Sequence, residues 1–531
     1  MTSESMLKAV APWNRTTVRG SKLLKLLAFA IGVLTAQAAF AISLSLNAPI
    51  DVIGNLPAAT FAGRGYGTNS YKDWGNEPFV AVNPVNPNQV VVSSFAFSTT
   101  STATGANIFY STTGGSSWTA QFSVPAPTAG VRIPNDWNFA YDSGGTLHAV
   151  VLGGCPTCNI YHGTTTDPTS LAAWSWTGGG TRINSAASTN NADQPWIAIG
   201  GGGKIFVGYD DFHTGSGQRV AVSTNNGATF TVDNAINNGP QSNFVNPGTR
   251  IATDGAGNVY SVFGTGDAPS PAGVHNVTYY LNRSGDGGVT WDFNGSSAVG
   301  GIVVASGKSS QLDNVGTQAV NNWFAGVNDL RGNITAIAAD KTGSHIYVLF
   351  GKQDAAGTDR IYLVEFHPSG SGLIASTPVV VSPAGERAAL PSLTVLDNGT
   401  VVMMYDTYGA DGKVHVHVAT SSNFGAAIDL DVEEYSFTPL SLFAATGSTT
   451  SNREFGDYDF IMSIGDAFYG TFAGLGNVNG GGINTTNLID PFFFSGAVSV
   501  PEPGSLLLLL STFMGFGLLR LLKKKVSHAV E

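Results

Sequence analysis

Ser284-Gly285-Asp286-Gly287-Gly288-Val289-Thr290-Trp291 is the stretch whose reading decides the fold. Its residue types are those of a tight turn: an Asp side chain that caps backbone N–H groups, glycine where φ must be positive, and an aromatic ring that closes the turn against its strands. The same spacing returns three more times. Ser111 to Trp118 keeps Ser111, Gly115 and Trp118 but has Thr113 in the acid's place; Ser223 to Phe230 keeps Ser223, Gly227 and Thr229, with Asn225 and Phe230; Ser421 to Ile428 is a worn version. These residues serve the turn itself, so Ser111, Gly115, Trp118, Ser223, Asn225, Gly227, Phe230, Ser284, Asp286, Gly288, Thr290 and Trp291 are read as structural.

Outward from these turns, a short apolar strand recurs seven times: Gln89–Ser93, Thr146–Val150, Lys204–Gly208, Asn258–Val262, His345–Leu349, Thr400–Met404 and Ala467–Thr471. Most copies start 54 to 67 residues apart, and the one wide gap is read as a Gly/Ser/Asn-rich insertion around Gly295 to Asn322. Each copy lies between two other runs, such as Pro195–Ile199 before and Arg219–Val222 after, and β-branched and aromatic residues with Gly/Asn/Asp turns mark all of them as strands. With an outer strand added, each unit is the blade of a propeller. The expected fold is therefore all-β: a seven-bladed β-propeller over 42–499, with a six-bladed ring as the alternative. The seventh unit runs out near Val498, so Leu44 to Val52 is expected to supply its outer strand.

The two ends read differently. Lys8, Arg15, Arg19, Lys22 and Lys25 precede an apolar run, Leu26 to Phe40, which closes in Ala39-Phe40-Ala41. That order is a signal peptide over 1–41; the run is short for a membrane span, which needs roughly 20 residues. At the other end Pro501-Glu502-Pro503 precedes an apolar segment, 505–522, followed by Lys523, Lys524 and Lys525. Residues 500–531 resemble the PEP-CTERM sorting signal, which implies a transient inner-membrane helix, processing by signal peptidase and an exosortase, and delivery to the cell surface or extracellular matrix.

Without the five basic and one acidic residue of 1–41 and the four basic and two acidic of 501–531, the chain's 25 basic and 36 acidic residues leave 16 and 33, a net charge of −17. Such a balance excludes a nucleic-acid partner, which is bound through clustered Lys and Arg. Cys155 and Cys158 are the only cysteines. Outside the cytoplasm they read as a small disulfide loop; a redox pair needs a strand-to-helix setting, and a zinc site needs further ligands.

With its turns after third strands, the body resembles the sialidase-like BNR/Asp-box propellers. In that family an aromatic-Arg-Ile-Pro motif precedes the first box, whereas Val131-Arg132-Ile133-Pro134 follows it here. The resemblance places ligands at the face away from the boxes, where the first strands start. Those starts carry Glu77, Asp136, Asp193, Arg250, Arg331, Arg387 and Arg453, with Asp210, Asp211, His213, Asp354, Asp406 and Tyr408 facing them. By resemblance, Arg250, Arg331, Arg387 and Arg453 are ligand-binding candidates that clasp an anionic group. Tyr458 with Glu454 or Asp457 is the nucleophile–base candidate, and Asp136 or Asp193 the acid. A ring of salt bridges between blades accounts for the same charges, and His415 and His417 read as packing or hydrogen-bonding residues. The expected function is binding, with hydrolysis in view, of acidic or complex glycans by a sialidase-like monomer; the alternative is a noncatalytic adhesion module. No cofactor or metal is assigned, and structural calcium in the Asp/Asn-rich loops is left open.

Overall fold

The computed structural model describes residues 43–56, 77–94, 107–121, 125–131, 136–154, 158–184, 192–212, 217–238, 249–266, 274–310, 334–422, 424, 432–437, 456–475 and 489–499. Among them, regular structure is strand apart from three-residue helical turns, and the strands form seven antiparallel sheets. Blade I is Phe79–Val82, Val90–Ser94, Asn107–Ser111 and Thr119–Gln121; blade II is Trp137–Tyr141, Leu147–Gly153, Asn159–Thr165 and Ser175–Trp176. Blade III is Ala192–Ile199, Ile205–Asp211, Gly217–Ser223 and Val232–Ala235; blade IV is Arg250–Thr253, Val259–Gly266, Val274–Ser284 and Ile302–Ser310. Blade V is Thr335–Ala339, Ile346–Gln353 and Asp359–Ser369, edged by Gly372–Ala375 and Val379–Val380; blade VI is Arg387–Val395, Val401–Tyr408, Val414–Ser421 and Val432–Phe437. Blade VII is Phe460–Ile464, Ala467–Leu475 and Ile489–Ser499, and its outer edge is the N-terminal pair Ser43–Leu46 and Ile50–Asp51.

The first strands touch in cyclic order, I to VII and back to I, so the sheets close a seven-bladed β-propeller. All seven repeated strands are the second strands of these blades. They read as unbroken apolar runs because each is covered on both faces by neighbouring blades; Val401–Thr407 is buried at every position. There is no single core. Each interface between blades holds its own apolar cluster, such as Phe79, Val91, Trp137 and Ala149 between I and II, or Val52, Val80, Trp118 and Phe493 between VII and I.

The N-terminal strand closes the ring as expected: Ser43 pairs with Ser499 and Leu46 with Gly496, antiparallel. The stretch Gly295 to Asn322 is corrected in part. Ile302–Ser310 within it is the outer strand of blade IV, paired with Val274–Ser284; 311–333 lies outside the described residues.

The turn at Ser284 works through its own side chains. Ser284 Oγ accepts from Gly288 N–H at 2.8 Å, Asp286 Oδ1 accepts from Thr290 N–H at 2.9 Å, and Asp286 Oδ2 accepts from Thr290 Oγ1 at 2.7 Å. Burial pushes the Asp286 carboxyl up, and these bonds together outweigh it and hold the group below its ordinary value. Asn225 and Thr113 do the same capping in blades III and I, each accepting at 2.9 Å from the backbone N–H four residues on. Gly227 is required twice over: φ is +79°, and a Cβ there would lie 2.2 Å from His162 Cε1 of blade II. His162 is itself buried, and burial, then the neighbouring His148, pushes its imidazole down to about 3, so it packs as a neutral ring.

No helix among the described residues is long and apolar enough to cross a membrane; 1–42 and 500–531, which hold the signal peptide, Pro501, Glu502 and Pro503, lie outside them. Cys158 is disulfide-bonded, and Cys155 lies outside the described residues.

Candidate functional site

Each first strand runs toward the Asp286 side of the ring, and the end where the first strands start is its mouth. At the mouth, side chains from blades I, II, III, IV and VII converge on Arg250, the first residue of blade IV. Its guanidinium lies 4.1 Å from the centre of the Trp196 ring and 5.5 Å from that of Tyr458. Nη1 donates to the Thr249 carbonyl at 3.1 Å, while Nη2, though buried, has no hydrogen-bond partner among the described residues. Burial lowers the Arg250 pKa, opposed by Tyr458, Asp210, Asp457 and Glu77 in that order.

The acids are tied together by short links. Glu77 Oε1 accepts from Asp457 N–H at 3.0 Å, and Asp457 Oδ2 accepts from Gln194 Nε2 at 2.9 Å. Asp210 Oδ1 accepts from Thr249 Oγ1 at 2.8 Å. The Gln194–Asp457 bond joins blade III to blade VII, which are not neighbours, so it crosses the axis of the ring. Glu77 and Gln194 both hold φ at +50°, a strained region for residues with a Cβ, and this turns their side chains into the cluster. Gly456 makes room for Glu77: a Cβ there would meet Glu77 Cγ at 2.1 Å.

Tyr458 is 4% exposed and packs edge-on against Trp196 at 5.5 Å. Its hydroxyl is pushed well above the ordinary tyrosine range by burial first, then by the charges of Asp136 and Glu77, so the phenol keeps its proton. Asp136 is buried beside it, and Asp193 is half-buried with its Oδ1 accepting from Gln194 N–H at 3.0 Å.

The expected groups are therefore brought together unevenly. Glu77, Asp136, Arg250, Asp457 and Tyr458 form one cluster. Arg387 is exposed at the start of blade VI, with no ion pair among the described residues. Arg331, Arg453, Glu454, Arg132 and His213 lie outside the described residues. Within the described cluster one guanidinium, that of Arg250, faces the carboxyls of Asp210, Asp457 and Glu77. Gln194, Trp196 and Thr249 went unnoticed in the sequence: Trp196 read as an ordinary strand residue, and nothing in the spacing marks a bulge at Gln194.

Two neighbouring features are separate. Asp354 makes turn hydrogen bonds to Ala356 and Thr358 N–H and lies 3.6 Å from Arg360. His415 sits between Asp411, at 3.1 Å, and Glu434, and His417 Nε2 lies 2.8 Å from Thr407 Oγ1, in keeping with a hydrogen-bonding role. At the opposite end of the axis a cleft of about 630 Å³ is rimmed by Asp142, Gly200 to Lys204, Asp254 and Lys341. Glycine-rich turns dominate its lining.

Between blades VI and VII, Asp406 and Asp459 are both fully buried and sense each other. Burial, then the charge of Asp459, holds the Asp406 carboxyl well above its ordinary value, and neither of its oxygens has a hydrogen-bond partner among the described residues. A raised acid stabilises the fold fully below its unfolded pKa of 3.8 and loses that contribution as pH climbs through the folded value. Asp406→Asn keeps the side chain's size and removes the titration. Relative to wild type it is expected to gain about 1–3 kcal/mol between about pH 4 and about pH 8. Urea unfolding at both pH values checks this; an equal difference at the two ends would mean that Asp406 does not titrate there.

No protein-family model and no curated protein matches the chain. Among solved structures, the chain is similar to a Penicillium chrysogenum α-L-arabinanase complexed with arabinobiose, at 12% identity over 85% of this chain and 98% of that one, TM-score 0.43. An ulvan lyase of a polysaccharide lyase family matches at 13% identity over 81% and 97%, TM-score 0.40. A leech intramolecular trans-sialidase matches at 11% identity over 70% and 69%, TM-score 0.39. Similarity at this level leaves the site to be read from its own chemistry.

Proposed function

We propose that the chain is an exported surface or exopolysaccharide-associated protein whose propeller mouth binds glycans. One observation carries the reading: among the described residues, carboxyls from blades I, II, III and VII gather with Trp196, Tyr458 and Arg250 at the mouth. Carboxylates accept hydrogen bonds from sugar hydroxyls, aromatic rings cover sugar faces, and strongly perturbed titratable groups mark functional sites more often than plain surface. The excess of acids, together with the body's net charge of −17, favours hydroxyl-rich neutral glycans over strongly anionic ones. Export would follow from the signal peptide and the exosortase-type tail, with signal peptidase and exosortase as processing partners.

A second reading, hydrolysis, is favoured by the adjacency of Asp136 and Glu77 to Tyr458. It requires a base to take the phenol proton that burial now holds in place. A glycan array and a panel of fluorogenic glycosides separate the two. The binding reading expects retention of neutral glycans, weakened at least roughly tenfold in Asp193→Ala, the half-buried acid at the rim. Retention of acidic glycans only, or of none, sinks it. Turnover abolished by Tyr458→Phe establishes the second.

A further inference from the structure

The third strand of blade V runs on into a hairpin at the end where blades I, III and IV carry their capped turns, and three side chains there have no role in the ring's closure or at its mouth. His345 stands just before the second strand, while Glu365 and His367, two residues apart on the third, share a sheet face. The register Tyr347↔Glu365 and Ile346↔Phe366, continued by one residue, sets His345 opposite His367. His345 Nδ1 lies 2.6 Å from Glu365 Oε1, and His367 Nε2 lies 3.1 Å from Oε2. The three ligand atoms fall within 4.8 Å of one another. The imidazoles cross edge-on, at 77° with centres 5.0 Å apart, so they approach the carboxylate from two directions.

Burial is split across the cluster. The Glu365 side chain is 4% exposed, and each histidine side chain is 43% exposed. Among the described residues no lysine or arginine pairs with this buried carboxylate, and Tyr347 stands directly across the strands from it. We propose that His345, Glu365 and His367 form a binding site for a zinc-class divalent ion, with its remaining coordination position open to solvent between the two half-exposed rings.

Two imidazoles and a carboxylate suit zinc and its first-row neighbours, while calcium takes six to eight oxygen ligands. With metal–ligand bonds of about 2.0–2.1 Å, the ligand atoms of a tetrahedral site lie roughly 3.4 Å apart, which side-chain rotation reaches from the present spacings. Binding needs one unprotonated nitrogen on each imidazole, which a neutral tautomer supplies. Tyr347 supplies the outer support: it stands directly across the strands from Glu365, whose charge acts on its hydroxyl, and its ring lies parallel to His345, 10° apart in plane.

The test is calorimetric titration of zinc into the tag-free full chain after chelator treatment, with calcium as the control ion. One zinc per chain is expected, with affinity reduced at least roughly tenfold in His345→Ala and in His367→Ala and about tenfold in Tyr347→Phe. Both histidines are half exposed, so far-UV circular dichroism and melting of the single variants should match wild type. His367→Gln, which keeps the side chain's bulk, serves if an alanine variant misfolds. Zinc binding unchanged in the double histidine variant, no binding to wild type, or equal binding of calcium each overturns the site.

Discussion

A chain that begins at residue 57 is expected to lose the single cooperative unfolding transition of the full body. The segment it lacks supplies the outer strand of blade VII through Ser43–Leu46 and Ile50–Asp51, both paired with Ile489–Ser499. It also places Val52, Ile53 and Leu56 in the interface between blades VII and I, each 5% exposed or less, and Leu44 at 8%. Burying four such side chains stabilises by roughly 6–12 kcal/mol, which is comparable to the whole stability of an ordinary domain. Removal also bares the long edge of Ile489–Ser499, whose Phe492, Phe493 and Phe494 invite pairing with other chains. Differential scanning calorimetry of the full and shortened chains, with light scattering alongside, checks this. A shortened chain that melts at the wild-type temperature and stays monomeric would show that the ring does not depend on this closure.

The ring was legible in the sequence because its second strands are sandwiched between blades, which forces continuous apolar runs such as Val401–Met404. The capped turns were legible because their bonds are local, between residues two to four apart. Ile302–Ser310 was not. As an outer strand it is half-exposed, with Ser306, Gly307 and Lys308 in it. Composition alone made that strand look like an insertion.

The candidate site was half legible for the same kind of reason. Counting first strands put Glu77, Asp136 and Arg250 at one end of the ring, but spacing says nothing about which side chains turn inward. That is decided by positive φ at Glu77 and Gln194 and by the missing Cβ of Gly456. His345, Glu365 and His367 were invisible because their meeting depends on a strand register that only pairing reveals.

Arg250→Met is the substitution that tests the mouth most severely. It preserves bulk against Trp196 but removes the one cation described among Glu77, Asp210 and Asp457, whose charges act on it across blades I, III and VII. Breaking a buried ionic cluster by deleting one partner costs about 3–5 kcal/mol, because the remaining charges stay desolvated and unopposed. Arg250→Lys keeps the charge but not the planar group over Trp196 or the fixed bond to the Thr249 carbonyl, and its expected cost is nearer 1–2 kcal/mol. The sign with pH follows from the carboxylates left behind. Without Arg250 their charged forms are disfavoured, their folded pKa values rise, and protonation relieves the repulsion. The Met variant should therefore regain stability relative to wild type as pH falls toward the ordinary carboxylate range, whereas the Lys variant should keep a nearly constant deficit. Urea unfolding of the three proteins across that range decides it. A deficit in Arg250→Met that is the same at every pH would mean that the guanidinium is held for its packing on Trp196 and Tyr458, and that the acids around it are balanced by something other than its charge.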